Sequence, residues 1–223
     1  MAKAASRQQR SRVRRKHVRW IIGGGIIAVV VVGGLIFLNA NLSSRLSRPT
    51  MSTGRVWGQA NAPVSIEVFS DFQCPVCARA DAVLQRLAPQ YIDTGKAKVT
   101  YRHFAFLGLE SNWAAQAAEC AGEQRRFWDY AHYLFTHQAG ENAGAFALNS
   151  LKRFAQQVGL DATAFNACLD SGRDAAVVQQ DTQEGRSRGV QATPTFFVNG
   201  ERIVGLLAPD QLAALIERKS SHP

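Results

Sequence analysis

Residues 64–104 predict a strand, a helix and a second strand, and this order constrains how the chain can fold. The runs VSIEVF at 64–69 and KVTYRHF at 98–104 are rich in β-branched and aromatic residues, as strands are. Between them, apolar residues recur along one face of a helix that begins after Cys74 and that Pro89 should end. A strand–helix–strand connection is right-handed and joins parallel strands. The pattern therefore predicts an α/β fold whose sheet contains a parallel pair.

After residue 104 the chain divides into a helical block and a β-rich end. The spacing of apolar residues over 107–190 predicts three or four helices and no strand. Residues 193–205 give two short β runs around Asn199-Gly200, a dipeptide typical of two-residue hairpins. A last amphipathic helix follows, so we expect one domain over 63–223. The expected core positions are Phe127, Trp128 and Phe135 in the block and Leu212, Leu215 and Ile216 in the last helix.

Cys74, Pro75, Val76 and Cys77 stand where the first strand meets the helix. A structural zinc site needs four ligands, and the chain has a single C-x-x-C with no matching histidine spacing, so a metal site is not expected. A purely structural Cys74–Cys77 bridge would close a very short loop and constrain the unfolded chain little. Thiol–disulfide exchange is the interpretation that the motif favours over these two alternatives.

The position of the motif supplies a mechanism for exchange. If Cys74 is the N-cap, Pro75 is the first helical residue, where its fixed φ fits and its missing N–H costs nothing. The positive end of the helix then lies at the Cys74 sulfur and lowers its pKa below the free value of ~8.5. Cys77, one turn along on the apolar face, would be the shielded resolving thiol.

Positive charge is concentrated at the N-terminus. The formal net charge is +9, and the first 19 residues hold eight lysines and arginines and no acid. The remainder of the chain is therefore almost neutral and offers no basic surface to a nucleic acid. Basic segments beside membrane helices stay in the cytoplasm, so we expect residues 1–19 to be a cytoplasmic tail.

Residues 20–38 are 19 uncharged, mostly apolar residues, which as a helix would be roughly 28 Å long, close to the ~30 Å core of a bilayer. We expect an uncleaved transmembrane signal-anchor helix in contact with lipid. A cleaved signal peptide is the alternative, although its apolar region is usually only about 7–15 residues long. Residues 39–62, rich in Ser, Asn, Thr and Gly, predict a flexible linker.

Four segments together carry a family resemblance: FSDFQCPVC, YRHF, AAECAGEQRRFWDYAHYLF and GVQATPTFFVNG. Over about residues 60–218 the chain resembles the DsbA-like thiol:disulfide oxidoreductases, in their membrane-anchored branch of BdbD-like and actinobacterial proteins. The resemblance implies a thioredoxin-like fold with a helical insertion at about 107–190 between the βαβ and ββα halves. It also implies a cis peptide at Thr193-Pro194, in a loop that faces the cysteines and pairs with an extended substrate segment. A trans proline that opens the next strand is the alternative.

The resemblance bears on four further residues. Relatives often carry a buried acid six residues before the first cysteine, where this chain has Val68. Its neighbour Glu67 should point to the opposite face of the strand, so it is an ordinary strand carboxylate unless a bulge re-aims it. Some members staple two helices of the insertion with a pair like Cys120 and Cys168, which implies a structural disulfide here. Inert core thiols are the alternative.

The activity that the resemblance implies is that of a protein disulfide oxidoreductase with Cys74 and Cys77 as its catalytic pair and no bound cofactor. Facing outward from the cell membrane, it would oxidise exported proteins with free cysteines. A membrane quinone-linked reductase, DsbB-like or a vitamin K epoxide reductase homologue, would reoxidise it. Because Pro75-Val76 does not fix the direction of exchange, a reductase or isomerase remains an alternative. A non-catalytic binding or assembly protein of the same fold is another.

Overall fold

A six-stranded mixed sheet organises the computed structural model, which describes residues 52–221. The strand order is β1-β2-β4-β3-β5-β6. The strands are β1 (Ser52–Thr53), β2 (Val56–Trp57), β3 (Val64–Ser70), β4 (Ala97–His103), β5 (Thr195–Val198) and β6 (Glu201–Val204). The helices are α1 (Pro75–Tyr91), α2 (Leu109–Glu123), α3 (Phe127–Thr136), α4 (Leu148–Val158), α5 (Ala162–Ser171), α6 (Ala175–Ser187) and α7 (Pro209–Ser220).

Pairing around β3 confirms the predicted order of the two halves. β3 and β4 are parallel through seven residue pairs, from Val64 opposite Ala97 to Ser70 opposite His103. β5 is antiparallel to β3 on its other side, and β6 is antiparallel to β5. Asn199 and Gly200, which join β5 to β6, both have positive φ, as a two-residue hairpin turn of this kind requires. The structure is therefore βαβ, a helical insertion, then ββα.

Pro89 does not end α1, contrary to the sequence-based expectation. The helix continues to Tyr91, and the N–H groups of Ile92 and Asp93 both donate to the carbonyl oxygen of Ala88. A proline this close to the C-terminus removes one hydrogen bond without disturbing the long body of the helix. Burial of Ala88 and Tyr91, which are 3% and 4% exposed, favours the extra turn.

The insertion contains five helices, α2 to α6, where three or four were predicted. Two glycines divide it more finely than the apolar spacing indicated. Gly159 ends α4 and Gly172 ends α5, both in the left-handed conformation that favours glycine at a helix end. Asp161 caps the start of α5 by accepting from the N–H of Ala164 at 2.8 Å. No strand interrupts residues 107–190, all of which the structure describes.

The insertion and the sheet share an aromatic core. Tyr101 of β4 stacks on Phe72 with ring centroids 5.0 Å apart and contacts Phe127 at 5.3 Å. Phe135 packs on Phe72 at the same centroid distance of 5.0 Å, and Trp128 meets Tyr101 edge-on. The predicted core positions are therefore confirmed, including Leu212, Leu215 and Ile216 in α7.

Residues 52–57 of the predicted linker form a hairpin of the sheet instead. β1 and β2 form a short hairpin, and β2 pairs antiparallel with β4, placing Trp57 opposite Val99. Trp57 is 2% exposed and packs against Trp128 at 5.4 Å. The linker prediction is therefore wrong for residues 52–57, because burial of one large aromatic side chain holds two-residue strands that have no periodic signal of their own.

The predicted cytoplasmic tail (1–19), transmembrane helix (20–38) and first part of the linker (39–51) lie outside the described residues. Within residues 52–221 no helix combines the length and the apolar character needed to cross a bilayer.

Candidate active site

The two cysteines lie at the start of α1, shortly after the end of β3 in the chain. Cys74 is the N-cap in an extended conformation, and Pro75 is the first helical residue. The carbonyl oxygen of Cys74 accepts from the N–H groups of Cys77 and Ala78, at 3.0 and 3.2 Å. Both thiols are free, with residue exposures of 7% for Cys74 and 1% for Cys77. Both cysteines are therefore buried, Cys77 more completely than Cys74.

The two thiols differ strongly in acidity. A hydrogen bond from Cys77 lowers the pKa of Cys74 to about 6, helped by the Thr193 side chain and the N–H groups of Cys77 and Val76, while burial opposes the shift. Burial raises the pKa of Cys77 well above its usual value, and the nearby Cys74 adds to this. At neutral pH Cys74 is therefore largely a thiolate and Cys77 a thiol, which is the division of roles that exchange requires.

A proline loop covers the exposed side of Cys74. The Thr193-Pro194 peptide is cis, and the Cys74 thiol lies 3.5 Å from the carbonyl oxygen of Thr193, to which it donates. The N–H of Gly205 donates to the carbonyl oxygen of Pro194 at 2.8 Å, which fixes the loop to the far end of β6. The Thr193 hydroxyl is buried and has no hydrogen-bond partner among the described residues, and its position near the Cys74 sulfur lowers the pKa of that thiol.

A buried carboxylate shapes the turn before Cys74. Asp71 is 1% exposed, and its Oδ1 accepts from the N–H of Gln73 at 2.9 Å and from the Ser111 hydroxyl at 2.6 Å. Its Oδ2 accepts from the N–H groups of Phe106 and Leu107, at 2.9 and 3.2 Å. Asp71 therefore holds the active-site turn, the loop after β4 and helix α2 together.

Comparison with known proteins identifies the family to which a chain with this geometry belongs. A family model described as thioredoxin matches residues 50–218. The crystal structure of oxidised BdbD from Bacillus subtilis superposes with a TM-score of 0.70 at 26% identity, over 78% of this chain and 97% of that one. The chain belongs to the DsbA-like branch of the thioredoxin family.

Two other relatives of this DsbA-like chain differ in length. A probable disulfide bond formation protein D from Bacillus anthracis is 28% identical over 184 residues, covering 78% of this chain and 84% of that protein. A Na(+)/H(+) antiporter, NhaA 3 of Salinispora tropica, is 32% identical over 163 residues. The matched region covers 72% of this chain, which thus spans only about a quarter (24%) of that antiporter's length. The likeness to the antiporter is thus confined to one portion of a larger protein.

This DsbA-like domain has no acid at the position six residues before Cys74 in β3. Val68, 3% exposed, occupies the position and lies opposite Tyr101 in an unbroken β3–β4 register, so no bulge re-aims Glu67. Glu67 instead accepts from Arg102 at 3.2 Å and from Arg188 at 3.0 Å. Burial alone would raise the pKa of Glu67, but the hydrogen bonds from Arg188 and Arg102 outweigh it and lower the pKa. Glu67 is an ion-pair residue of the opposite sheet face.

Cys120 of α2 and Cys168 of α5 form a disulfide, with Cα atoms 5.8 Å apart. Both residues are 1% exposed. Asp174 Oδ2 lies 3.5 Å from the sulfur of Cys120 and 3.3 Å from that of Cys168, which groups three potential metal-ligand atoms. Because both sulfurs are already bonded to each other, neither is a thiolate that could bind a metal. The bridge joins two helices of the insertion.

Sequence reasoning missed the polar residues that surround the turn. Gln73 donates to the Ser111 hydroxyl at 2.8 Å and accepts from the N–H of Asn142 at 2.5 Å. Gln138 donates to the carbonyl oxygens of Phe72 and Cys74. These contacts join residues about 40 to 70 positions apart. Single polar residues in loops have no periodicity, so no sequence pattern identifies them.

Proposed function

We propose that this chain is a membrane-anchored, extracytoplasmic thiol:disulfide oxidoreductase that oxidises cysteine pairs in exported proteins. The observation that carries the proposal is the inequality of the two sulfurs. Cys74 has a pKa of about 6 and adjoins the proline loop, whereas Cys77 is buried with a raised pKa. A stable thiolate at Cys74 favours the reduced form of the pair, which makes the disulfide form an oxidant.

The reaction begins with the Cys74–Cys77 disulfide. A substrate thiolate attacks the Cys74 sulfur, a new S–S bond forms, and the Cys77 sulfur leaves and takes up a proton because its pKa is high. The second substrate thiolate then attacks the substrate sulfur of the mixed disulfide and releases Cys74 as a thiolate. Two electrons pass from the substrate dithiol to the protein pair, and the substrate gains a disulfide.

Reoxidation requires a partner that accepts those two electrons. We assign this role to a membrane quinone-linked reductase, DsbB-like or a vitamin K epoxide reductase homologue. The Cys74 thiolate would attack the disulfide of that partner, and Cys77 would then attack Cys74 in the mixed disulfide, which restores the Cys74–Cys77 bond and leaves the partner as a dithiol. Quinone chemistry stays in that partner, so the chain itself requires no bound cofactor. Anchoring by residues 20–38, with residues 1–19 in the cytoplasm, would keep the domain near such a partner.

Exposed apolar side chains near the segments that bond to Asp71 and to the cis-proline loop suit an unfolded polypeptide as substrate. Phe106, 44% exposed, is in the loop that Asp71 holds, and Leu109, 60% exposed, begins the helix after it. Val204 and Leu206 are 60% and 39% exposed and flank Gly205, which bonds the cis-proline loop. Exported proteins present apolar segments and free cysteines together before they fold, which matches this surface.

A trapping experiment tests the proposal. In the Cys77→Ala variant the mixed disulfide cannot be resolved from within, so exported proteins should accumulate in covalent, reductant-sensitive complexes through Cys74. The Cys74→Ala/Cys77→Ala variant is the matched control and should capture none. Equal capture by both variants, or partners without cysteines, would identify a binding protein instead of an enzyme.

The redox potential distinguishes oxidase from reductase. Equilibration of the Cys74–Cys77 pair with glutathione should give a value nearer the about −120 mV of DsbA than the about −270 mV of thioredoxin. A value at the thioredoxin end would assign the chain to reduction or isomerisation. Cys74→Ser should abolish either activity and leave a binding function intact.

A further inference from the structure

The side-chain amide of Gln138 joins the helical insertion to the active-site turn. Its Nε2 donates to the carbonyl oxygen of Phe72 at 2.6 Å and to that of Cys74 at 3.1 Å. Both partners are carbonyl oxygens, which only accept, so the NH2 group and not the amide oxygen must face them. One amide therefore satisfies two main-chain acceptors on either side of Gln73.

The loop that carries Gln138 is itself fastened to the same turn. Asn142 is held by two hydrogen bonds. Its N–H donates to Gln73 Oε1 at 2.5 Å, and its Nδ2 donates to the carbonyl oxygen of Leu107 at 2.7 Å. Glu110 Oε1 and Oε2 accept from the N–H groups of Gly144 and Phe146, at 2.7 and 2.8 Å. These hydrogen bonds hold the segment 138–146 against the turn, although residues 139–144 are solvent-exposed.

These contacts have a consequence at the sulfur. The carbonyl oxygen of Cys74 is the negative end of a dipole close to its own thiolate, and a donor on that oxygen reduces the repulsion. The same bond fixes the main chain of Cys74, whose sulfur must stay within reach of Thr193. Loss of the amide would remove the described donor of the Phe72 carbonyl oxygen and one of three donors of the Cys74 carbonyl oxygen, which loosens the turn.

We propose that Gln138 is a positioning residue: its amide holds the Phe72–Cys74 turn, so that the helical insertion, and not only helix α1, sets the reactivity of Cys74. The inference rests on the proposed exchange function and deepens it. Gln138 does not touch the reacting sulfur; it acts through the two carbonyls. The insertion is thereby part of the active site and not only a cover for the core.

The pKa of Cys74, measured from thiolate absorbance in the reduced protein, tests the inference. Gln138→Leu keeps a side chain of similar size but removes the amide donors, and it should raise this pKa by about 0.5 or more. Gln138→Glu, nearly isosteric but accepting only, should raise it further. The redox potential should fall with both, because the reduced form loses thiolate stabilisation.

Gln124→Leu is the matched control. Gln124 also binds a turn of the insertion through two main-chain bonds, to Asp161 at 2.8 and 3.2 Å, far along the chain from the cysteines. The Gln124→Leu variant should lower the free energy of unfolding but leave the pKa of Cys74 unaltered. A folded Gln138→Leu or Gln138→Glu protein with the wild-type pKa would overturn the inference. An ordinary thiol pKa in the wild type would instead overturn the proposed function, because the inference concerns only the difference between variants.

Discussion

The thiol of Cys74 lies 3.5 Å from the carbonyl oxygen of Thr193, the residue before the cis proline, and the buried Thr193 hydroxyl has no hydrogen-bond partner among the described residues. We expect Thr193→Val to raise the pKa of Cys74 above its value of about 6, because this hydroxyl is one of the groups that lower it. Titration of thiolate absorbance measures the change. Thr182→Val, which removes a buried hydroxyl bonded to Val178 in α6, should leave the titration where it is.

The stability of the reduced domain should depend on pH in one direction. Folding lowers the pKa of Cys74 from ~8.5 to about 6, so the unfolded chain binds the proton more tightly and stability rises with pH between these values. Relative to reduced Cys74→Ser, the wild type should gain about 2.5 kcal/mol at pH 8 and nothing at pH 5. Urea unfolding at both pH values measures this. A pH-independent difference between the two proteins would contradict the shifted pKa.

Removal of the second disulfide should weaken the fold and spare the chemistry. Cys120 and Cys168 are 48 positions apart, and closing such a loop is worth about 4 kcal/mol in the chain-entropy model. Cys120→Ala/Cys168→Ala should therefore lower the free energy of unfolding by about 2–4 kcal/mol. The pKa of Cys74 should stay near 6. Unfolding and thiolate titration on one preparation separate the two effects, and a loss of reactivity at full stability would show that the bridge serves catalysis.

Glu67 should matter for stability alone. Its carboxylate binds Arg102 and Arg188 on the sheet face away from the cysteines, and the Arg188 guanidinium lies 4.0 Å from the ring centroid of Phe197. Glu67→Gln should cost about 1 kcal/mol, since partly exposed pairs contribute little individually. Glu201→Gln, which breaks one exposed pair with Lys219, should cost less. An altered redox potential in Glu67→Gln would assign Glu67 a role in proton transfer.

The sequence predicted the elements that have a periodic or local signal. The strand before Asp71, the helix that begins at Pro75 and the hairpin at Asn199-Gly200 each depend on neighbours within a few residues. The positions of Cys74 and Cys77 followed from that local order. Long-range polar contacts did not, because nothing in the spacing connects Gln138 to Cys74.

Two errors in the prediction of the fold from the sequence have the same origin. The strand at Val56–Trp57 is too short for an alternating pattern, and it exists because Trp57 is buried against Trp128. Pro89 is usually a stop signal, yet the packing of Tyr91 extends α1 past it. In both places tertiary burial overrides the local preference, which a single sequence does not reveal.

Incorporation of residues 52–57 into the sheet limits how far the domain could stand from a bilayer. If residues 20–38 cross the membrane as proposed, only residues 39–51 remain between the span and β1. Those 13 residues extend to about 45 Å at most, against about 80 Å for a 24-residue linker. Under that proposal, exchange would be limited to clients and redox partners that come within reach of this shorter tether.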